Sequence, residues 1–128
     1  MPTPINILVV DDELPIRALF LQRFRHEISR AEIQFTFAQS GEEALDQLAD
    51  SEVILILSDI NMPGMSGLEL LRRIRTKYPH KPPAIFMLTA YSDAKNKEQV
   101  RLYGADDFLT KPIDFNLLRQ KIVELHRS

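Results

Sequence analysis

Ile5-Asn6-Ile7-Leu8-Val9-Val10-Asp11-Asp12 decides the fold: a nearly unbroken apolar run that ends on two carboxylates. A strand with so little alternation is covered on both faces, which is the condition of a parallel sheet between two layers of helix. Four more short runs follow, at Ile33–Ala38, residues 53–58, Ala84–Thr89 and residues 107–109. The second alternates, with Ile33, Phe35 and Phe37 on one side, and so is placed at a sheet edge.

Between the runs the apolar spacing changes to three and four, the period of a helix. Pro15 suits a first helical turn, and Ile16, Leu19, Phe20 and Phe24 follow as a buried stripe. Ser40 with Glu43, and Ser66 with Glu69, read as capping boxes. After Ser66 the stripe is Leu68, Leu71, Ile74 and Tyr78; after Asp114, a favoured cap, it is Phe115, Leu118, Ile122 and Leu125. Residues 93–103 make a poor helix with little beyond Ala94, Val100 and Tyr103 to bury, and are expected to be the most loosely held element. Pro79 and Lys81-Pro82-Pro83 mark a loop. The alternation predicts a single (βα)5 domain over residues 1–128, with its core at about 5–125: an α/β three-layer sandwich around a five-stranded parallel sheet.

The 128 residues are 45% apolar and 27% charged, an ordinary balance for a soluble domain. A net charge of −2 gives no reason to expect direct contact with nucleic acid or an anionic membrane. With no cysteine there is no disulfide framework and no thiolate metal site. The start, Met1-Pro2-Thr3-Pro4, lacks the pattern of a secretory signal, and the apolar runs are too short to span a bilayer, so a cytoplasmic location is expected.

Ligands of a parallel sheet bind at the carboxyl ends of its strands. There the sequence puts Asp11 and Asp12 after the first strand, Asp59 after the third, Thr89 at the end of the fourth and Lys111 after the fifth. In a flavodoxin-like strand order, 2-1-3-4-5, strands one, three and four are neighbours and these groups converge. Three carboxylates together raise one another's pKa unless a cation is present, and Mg²⁺ suits one or two carboxylates plus phosphate and water. A metal-neutralised carboxylate is a competent nucleophile for phosphoryl transfer, with Lys111 and Thr89 available to the phosphoryl oxygens. Read one at a time, these residues have plainer uses. Asp11-Asp12 equally caps a helix, Thr89 equally ends a strand, and Met62-Pro63-Gly64 is strong turn chemistry that is compatible with aiming Asp59.

The segments Ile7-Leu8-Val9-Val10-Asp11-Asp12-Glu13, Leu57-Ser58-Asp59-Ile60-Asn61-Met62-Pro63-Gly64-Met65-Ser66-Gly67, Leu88-Thr89-Ala90 and Lys111-Pro112 together resemble response regulator receiver domains of two-component signalling. The resemblance implies a phosphorelay protein with Asp59 as phosphoacceptor. It implies Mg²⁺ (or Mn²⁺) held by the side chains of Asp12 and Asp59, the backbone carbonyl of Asn61, and Asp11 through water. Thr89 and Lys111 would contact the phosphoryl group, and the bond between Lys111 and Pro112 would be cis. Phe108 matches the aromatic switch position and Ala90 the small residue beside Thr89. Thr89 would move toward the phosphoryl group, Phe108 would swing inward, and the face of the fourth helix, fifth strand and fifth helix would change. Lacking a hydroxyl, Phe108 is expected to divide its two positions by packing alone. The implied partners are a sensor histidine kinase or phosphotransfer protein, docked near the first helix, and a downstream effector protein or domain. A phosphorylation-dependent homodimer is compatible with the family.

Such a protein accepts one phosphoryl group and slowly hydrolyses it, without turnover of an external substrate. Two alternatives compete. A Mg²⁺-dependent phosphatase similar to the haloacid-dehalogenase group would carry a second Asp two residues after its nucleophile, where this chain has Asn61. A pseudo-receiver, a pure interaction module, would lack an acid, Thr89 or Lys111, all of which are present. Tyr91, beside the expected path of the hydrolytic water, should prolong the phosphoryl lifetime. Arg72, Arg73, Arg75 and Lys77 read as a solvated helix face, and His26, His80 and His126 as surface residues.

Overall fold

The computed structural model describes residues 3–13, 15–90 and 96–127. Its five strands are β1 (Ile5–Val10), β2 (Ile33–Ala38), β3 (Leu55–Asp59), β4 (Ala84–Thr89) and β5 (Asp107–Thr110). They form one parallel sheet in the order β2-β1-β3-β4-β5, the flavodoxin-like arrangement. The helices are α1 (Pro15–Arg23), α2 (Arg25–Ser29), α3 (Gly41–Asp50), α4 (Gly67–Lys77), α5 (Asn96–Leu102) and α6 (Phe115–Arg127). None of the described helices is long and apolar enough to cross a membrane.

Period two along each strand divides the core between the faces of the sheet. Ile7, Val9, Leu55, Leu57, Phe86 and Leu88 meet Phe20, Phe24, Phe115, Leu118 and Ile122 of the α1, α2 and α6 side. Leu8, Val10, Ile56, Ile85 and Met87 meet Ala44, Leu48, Leu70, Leu71, Ile74 and Val100 of the α3, α4 and α5 side. β2 is an edge strand, as its alternation predicted.

Several boundaries differ from the sequence reading. β3 starts at Leu55 rather than at residue 53 and takes in Asp59, because the sheet register pairs Asp59 with Leu88 of β4. The expected first helix is two, since Phe24 leaves helical geometry (φ −108°, ψ 20°) while its ring packs into a cluster with Phe20, Phe35 and Phe115. Leu19, expected in the buried stripe, is 36% exposed. In α4 the fully buried residue that the stripe omitted is Leu70, and Leu68 is only half-buried. α5 is described from residue 96, so Ala94 lies outside the described residues, and Val100 is fully buried.

Both serine caps form: Ser40 Oγ accepts from the Glu43 amide and Ser66 Oγ from the Glu69 amide. The returning half of each box is used elsewhere. Glu43 accepts from the Gln39 amide, and Glu69 pairs with Arg72 and Arg73. Asp114 caps α6 by accepting from the amides of Asn116 and Leu117.

Arg75 is the main correction. It does not belong to a solvated face: its side chain is 11% exposed and all three guanidinium nitrogens donate hydrogen bonds. Nε donates to the Gly104 carbonyl at 2.8 Å, Nη1 to the carbonyls of Tyr78 and Pro83, and Nη2 to Asp106 Oδ2 at 2.7 Å. Asp106 Oδ2 also accepts from the Ile85 amide, so one ion pair ties the end of α4 to the starts of β4 and β5. A second pair, Glu27 with Arg119, joins α2 to α6, and Arg119 also donates to the Arg23 carbonyl and lies 4.8 Å over the Phe24 ring.

Truncating Arg75 takes this donor from the carbonyls of Gly104, Tyr78 and Pro83 and removes the shorter ion pair of Asp106, which keeps Lys81 and the Ile85 amide. Arg75→Ala is therefore expected to lower the unfolding free energy by about 1–3 kcal/mol, read from urea midpoints at constant m. Burial alone would raise the Glu27 carboxyl, but the hydrogen bonds and charge supplied mainly by Arg119 more than offset it and hold the group below its ordinary value. Its contribution is therefore present above the unfolded glutamate pKa and lost as pH falls through the folded one. Glu27→Gln should cost about 1–2 kcal/mol at pH 7, with the gap to the unsubstituted protein closing in acid.

Candidate functional site

Strand ends build the site. β1 delivers Asp11 and Asp12, β3 ends on Asp59, β4 ends on Thr89, and Lys111 follows β5. Oxygens of Asp11, Asp12 and Asp59 lie within 4.8 Å of one another; Asp11 and Asp59 are buried and Asp12 is exposed. Lys111 Nζ lies 2.7 Å from Asp59 Oδ2 and 3.5 Å from Asp11 Oδ2. These four residues, expected to converge from the sequence, do so.

Local hydrogen bonds fix each group. Asp11 Oδ1 accepts from the Glu13 amide at 2.9 Å, while its other oxygen faces Lys111. The Lys111 amide donates to the Thr89 carbonyl at 2.7 Å, so its backbone is tied to the neighbouring strand, and the bond between Lys111 and Pro112 is cis. Burial pushes the Asp11 carboxyl above its usual value, and the charges of Asp59 and Glu13 add to that, against the Glu13 amide and Lys111. For Lys111 burial acts to lower the pKa, but the hydrogen bond and charge of Asp59, then Asp11 and Glu13, prevail and hold it above the ordinary lysine value. The ammonium is therefore a fixed positive charge at neutral pH.

The donor set fits a hard divalent ion. Octahedral Mg²⁺ at about 2.1 Å from its ligands needs oxygens roughly 3 to 4.2 Å apart. Oxygens already within 4.8 Å reach that range by a small inward movement. Asn61 lies exposed in the loop directly after Asp59.

The residues expected to act as a switch occupy separate ground. Thr89 is fully buried, and its Oγ1 makes a long, 3.4 Å bond to the Leu109 carbonyl, pointing toward β5. Ala90 beside it is half-buried. Phe108 is half-buried on the α5 side, opposite Met87, and two cations cover its ring: Lys97 Nζ at 4.7 Å from the centroid and Arg101 Cζ at 5.2 Å. In this position the ring therefore has cation contacts besides its packing. Tyr91 lies outside the described residues.

One contributor was missed in the sequence. A Cβ on Gly67 would stand 2.0 Å from the Asp59 carbonyl oxygen and 2.7 Å from Ile60 Cα. The Gly67 amide donates to the Ile60 carbonyl at 2.7 Å, so the start of α4 is seated directly against the Asp59 backbone. The available signal was a glycine immediately after a serine cap, where no turn demands one. Gly64, by contrast, serves the turn: its φ is +74° and nothing lies near its missing Cβ.

A family model described as response regulator receiver domain matches residues 7–123. The response regulator protein FleR of Pseudomonas aeruginosa is 35% identical over 113 residues, which cover 88% of this chain and 23% of that protein. The chain spans from 22% to 50% of the length of such curated relatives. Among solved structures, the response regulator protein TrrA of Thermotoga maritima in complex with Mg(2+)-BeF is 35% identical, with a TM-score of 0.79 over 94% of this chain and 98% of that one. A structure of the Saccharomyces cerevisiae histidine phosphotransfer signaling protein Ypd1 with the receiver domain of the response regulator Ssk1 matches at 28% identity and a TM-score of 0.83, covering 98% of this chain and 90% of that one.

Because a side chain on Gly67 would meet backbone rather than a movable side chain, Gly67→Ala should cost about 1–3 kcal/mol in urea unfolding and displace Asp59. Asp59 amide and carboxyl resonances should shift accordingly, whereas Gly64→Ala should leave them in place.

Proposed function

This chain belongs to the response regulator receiver domain family, and from that membership we propose that Asp59 is the residue that takes the phosphoryl group. The observation that carries the reading is the buried Asp59 carboxylate, 2.7 Å from Lys111 Nζ and sharing a rim with Asp11 and Asp12. The single-domain reading, residues 1–128 with a core at about 5–125, is supported by one sheet that draws strands from Ile5 to Thr110.

Lys111 holds one Asp59 oxygen in a set orientation and leaves the other to attack. That oxygen forms a bond to the phosphorus of a phosphohistidine while the bond from phosphorus to nitrogen breaks, and the departing imidazole nitrogen takes up a proton from solvent. Lys111 then pairs with an oxygen of the transferred group, and the Thr89 hydroxyl leaves the Leu109 carbonyl to donate to another. Asp12, Asp59 and the Asn61 carbonyl, with Asp11 through water, would hold Mg²⁺ or Mn²⁺, which when bound would supply the positive charge that lets carboxylate and phosphoryl group approach. The adduct is stoichiometric, and the protein slowly hydrolyses it.

A groove of about 350 Å³ beside the site, with Ile16, Leu19 and Ile113 next to Asp11 and Lys111, supports docking of a sensor histidine kinase or phosphotransfer protein there. The α5-β5-α6 face is the surface whose change an effector protein or domain, or a second phosphorylated copy, reads. A net charge of −2 supports partners other than nucleic acid or membrane, and a cytoplasmic setting fits the lack of cysteine.

Incubation with acetyl phosphate and Mg²⁺ should add one phosphoryl group per chain by intact mass. Asp59→Asn or chelation of the metal should abolish the adduct, and Lys111→Met should slow its formation by about 10- to 100-fold. Release of many equivalents of phosphate would establish the phosphatase reading instead, and absence of any adduct the pseudo-receiver.

A further inference from the structure

We propose that Lys97 and Arg101 form a cationic cover that sets the resting position of Phe108 and joins its movement to that of α5. Being four residues apart, they lie on one side of α5, above the same ring. A cation over an aromatic face is attracted by the ring quadrupole, and two on one ring make its covered position the favoured one. Over the seven described residues of α5, Val100 is the single side chain seen to be buried. Among those residues the cover is therefore a large share of what joins α5 to β5.

The backbone beneath is pinned independently. Asp107 Oδ1 accepts from the Phe108 amide at 2.8 Å, and Asp107 Oδ2 pairs with Lys121 of α6. With the main chain held, the ring is the part left free to change place. Its neighbour Leu109 presents the carbonyl that now receives the Thr89 hydroxyl. When that hydroxyl turns away, an inward movement of Phe108 must break both cation contacts, which releases α5 and leaves its two surface cations without the ring. This inference rests on the receiver reading for its consequence, but the cover itself belongs to the unphosphorylated protein.

The test uses the full chain with labelled phenylalanine, the Phe108 ring signals being assigned by their loss in Phe108→Leu. In the Lys97→Met/Arg101→Met double variant, without phosphodonor, ring contacts to α5 side chains should weaken in nuclear Overhauser spectra. The uncovered population should rise by about 5- to 30-fold. Arg101→Lys, which keeps the charge, should stay near the unsubstituted protein. The double variant should also accept phosphate from acetyl phosphate faster, and this gain should vanish in a Phe108→Leu background. Unchanged ring contacts in the double variant, or the same gain without the Phe108 ring, would overturn the proposal. If no adduct forms in any variant, the receiver reading fails while the ring contacts still report on the cover.

Discussion

Three carboxylates crowded onto one rim, with the Lys111 ammonium against two of them, are the constraint to which the rest of the molecule answers. Burial, with the nearby charges of Asp59 and Glu13, disfavours the ionisation of Asp11. The chain tolerates the arrangement because its backbone allows no retreat. Asp59 is the last residue of a central strand, Asp11 is held by the Glu13 amide, and Lys111 is tied by its own amide to the end of β4. Lys111 answers part of the negative charge, and the excess is what a divalent cation and a phosphodonor would meet. A site of this kind binds by relieving a conflict that folding imposed.

The two sides of the sheet support the rim differently. The α1, α2 and α6 side is aromatic, with Phe20, Phe24, Phe35 and Phe115 in mutual ring contact and the Glu27–Arg119 pair across it. The α3, α4 and α5 side is aliphatic and carries Met62, Met65 and Met87, with Phe108 at its margin. Methionine is unbranched and adapts its shape, so that side can accommodate a ring that changes place. Arg75 sets a limit to such movement: it binds the end of α4 to the starts of β4 and β5, while among the described residues of α5 the attachments are Val100 and the contacts above Phe108.

Legibility in the sequence followed how local each physical cause was. Strands buried on both faces must be apolar at nearly every position, so β1 and β4 could be read to the residue. Site residues were legible because each follows a strand, and a parallel sheet gathers all carboxyl ends on one edge. Arg75 was not, because in Arg72-Arg73-Ile74-Arg75 nothing local separates the buried guanidinium from its exposed neighbours. Its distinction comes from Asp106 and the Gly104 carbonyl, some thirty residues away. Phe24 broke the first helix for a similar reason: helical spacing predicts continuation, while the ring cluster that bends the chain is assembled from β2 and α6. Gly67 could have been suspected, but its role depends on where the Asp59 carbonyl lies.

Thr89 is where the charged rim and the movable face meet. Its hydroxyl is completely buried, so it must donate to some acceptor at all times, and the present one, the Leu109 carbonyl, is distant at 3.4 Å. A long bond to a neutral carbonyl is weaker than a bond to a charged oxygen would be. A new anionic acceptor on Asp59 would therefore draw the hydroxyl across, and the Leu109 carbonyl, next to Phe108, would lose its side-chain donor. A change at the rim would thus reach β5 as a change in hydrogen bonding, without displacement of the sheet itself. The sheet register, pairing Thr89 with Thr110 and Asp59 with Leu88, sets that hydroxyl at the end of the strand between Asp59 and β5.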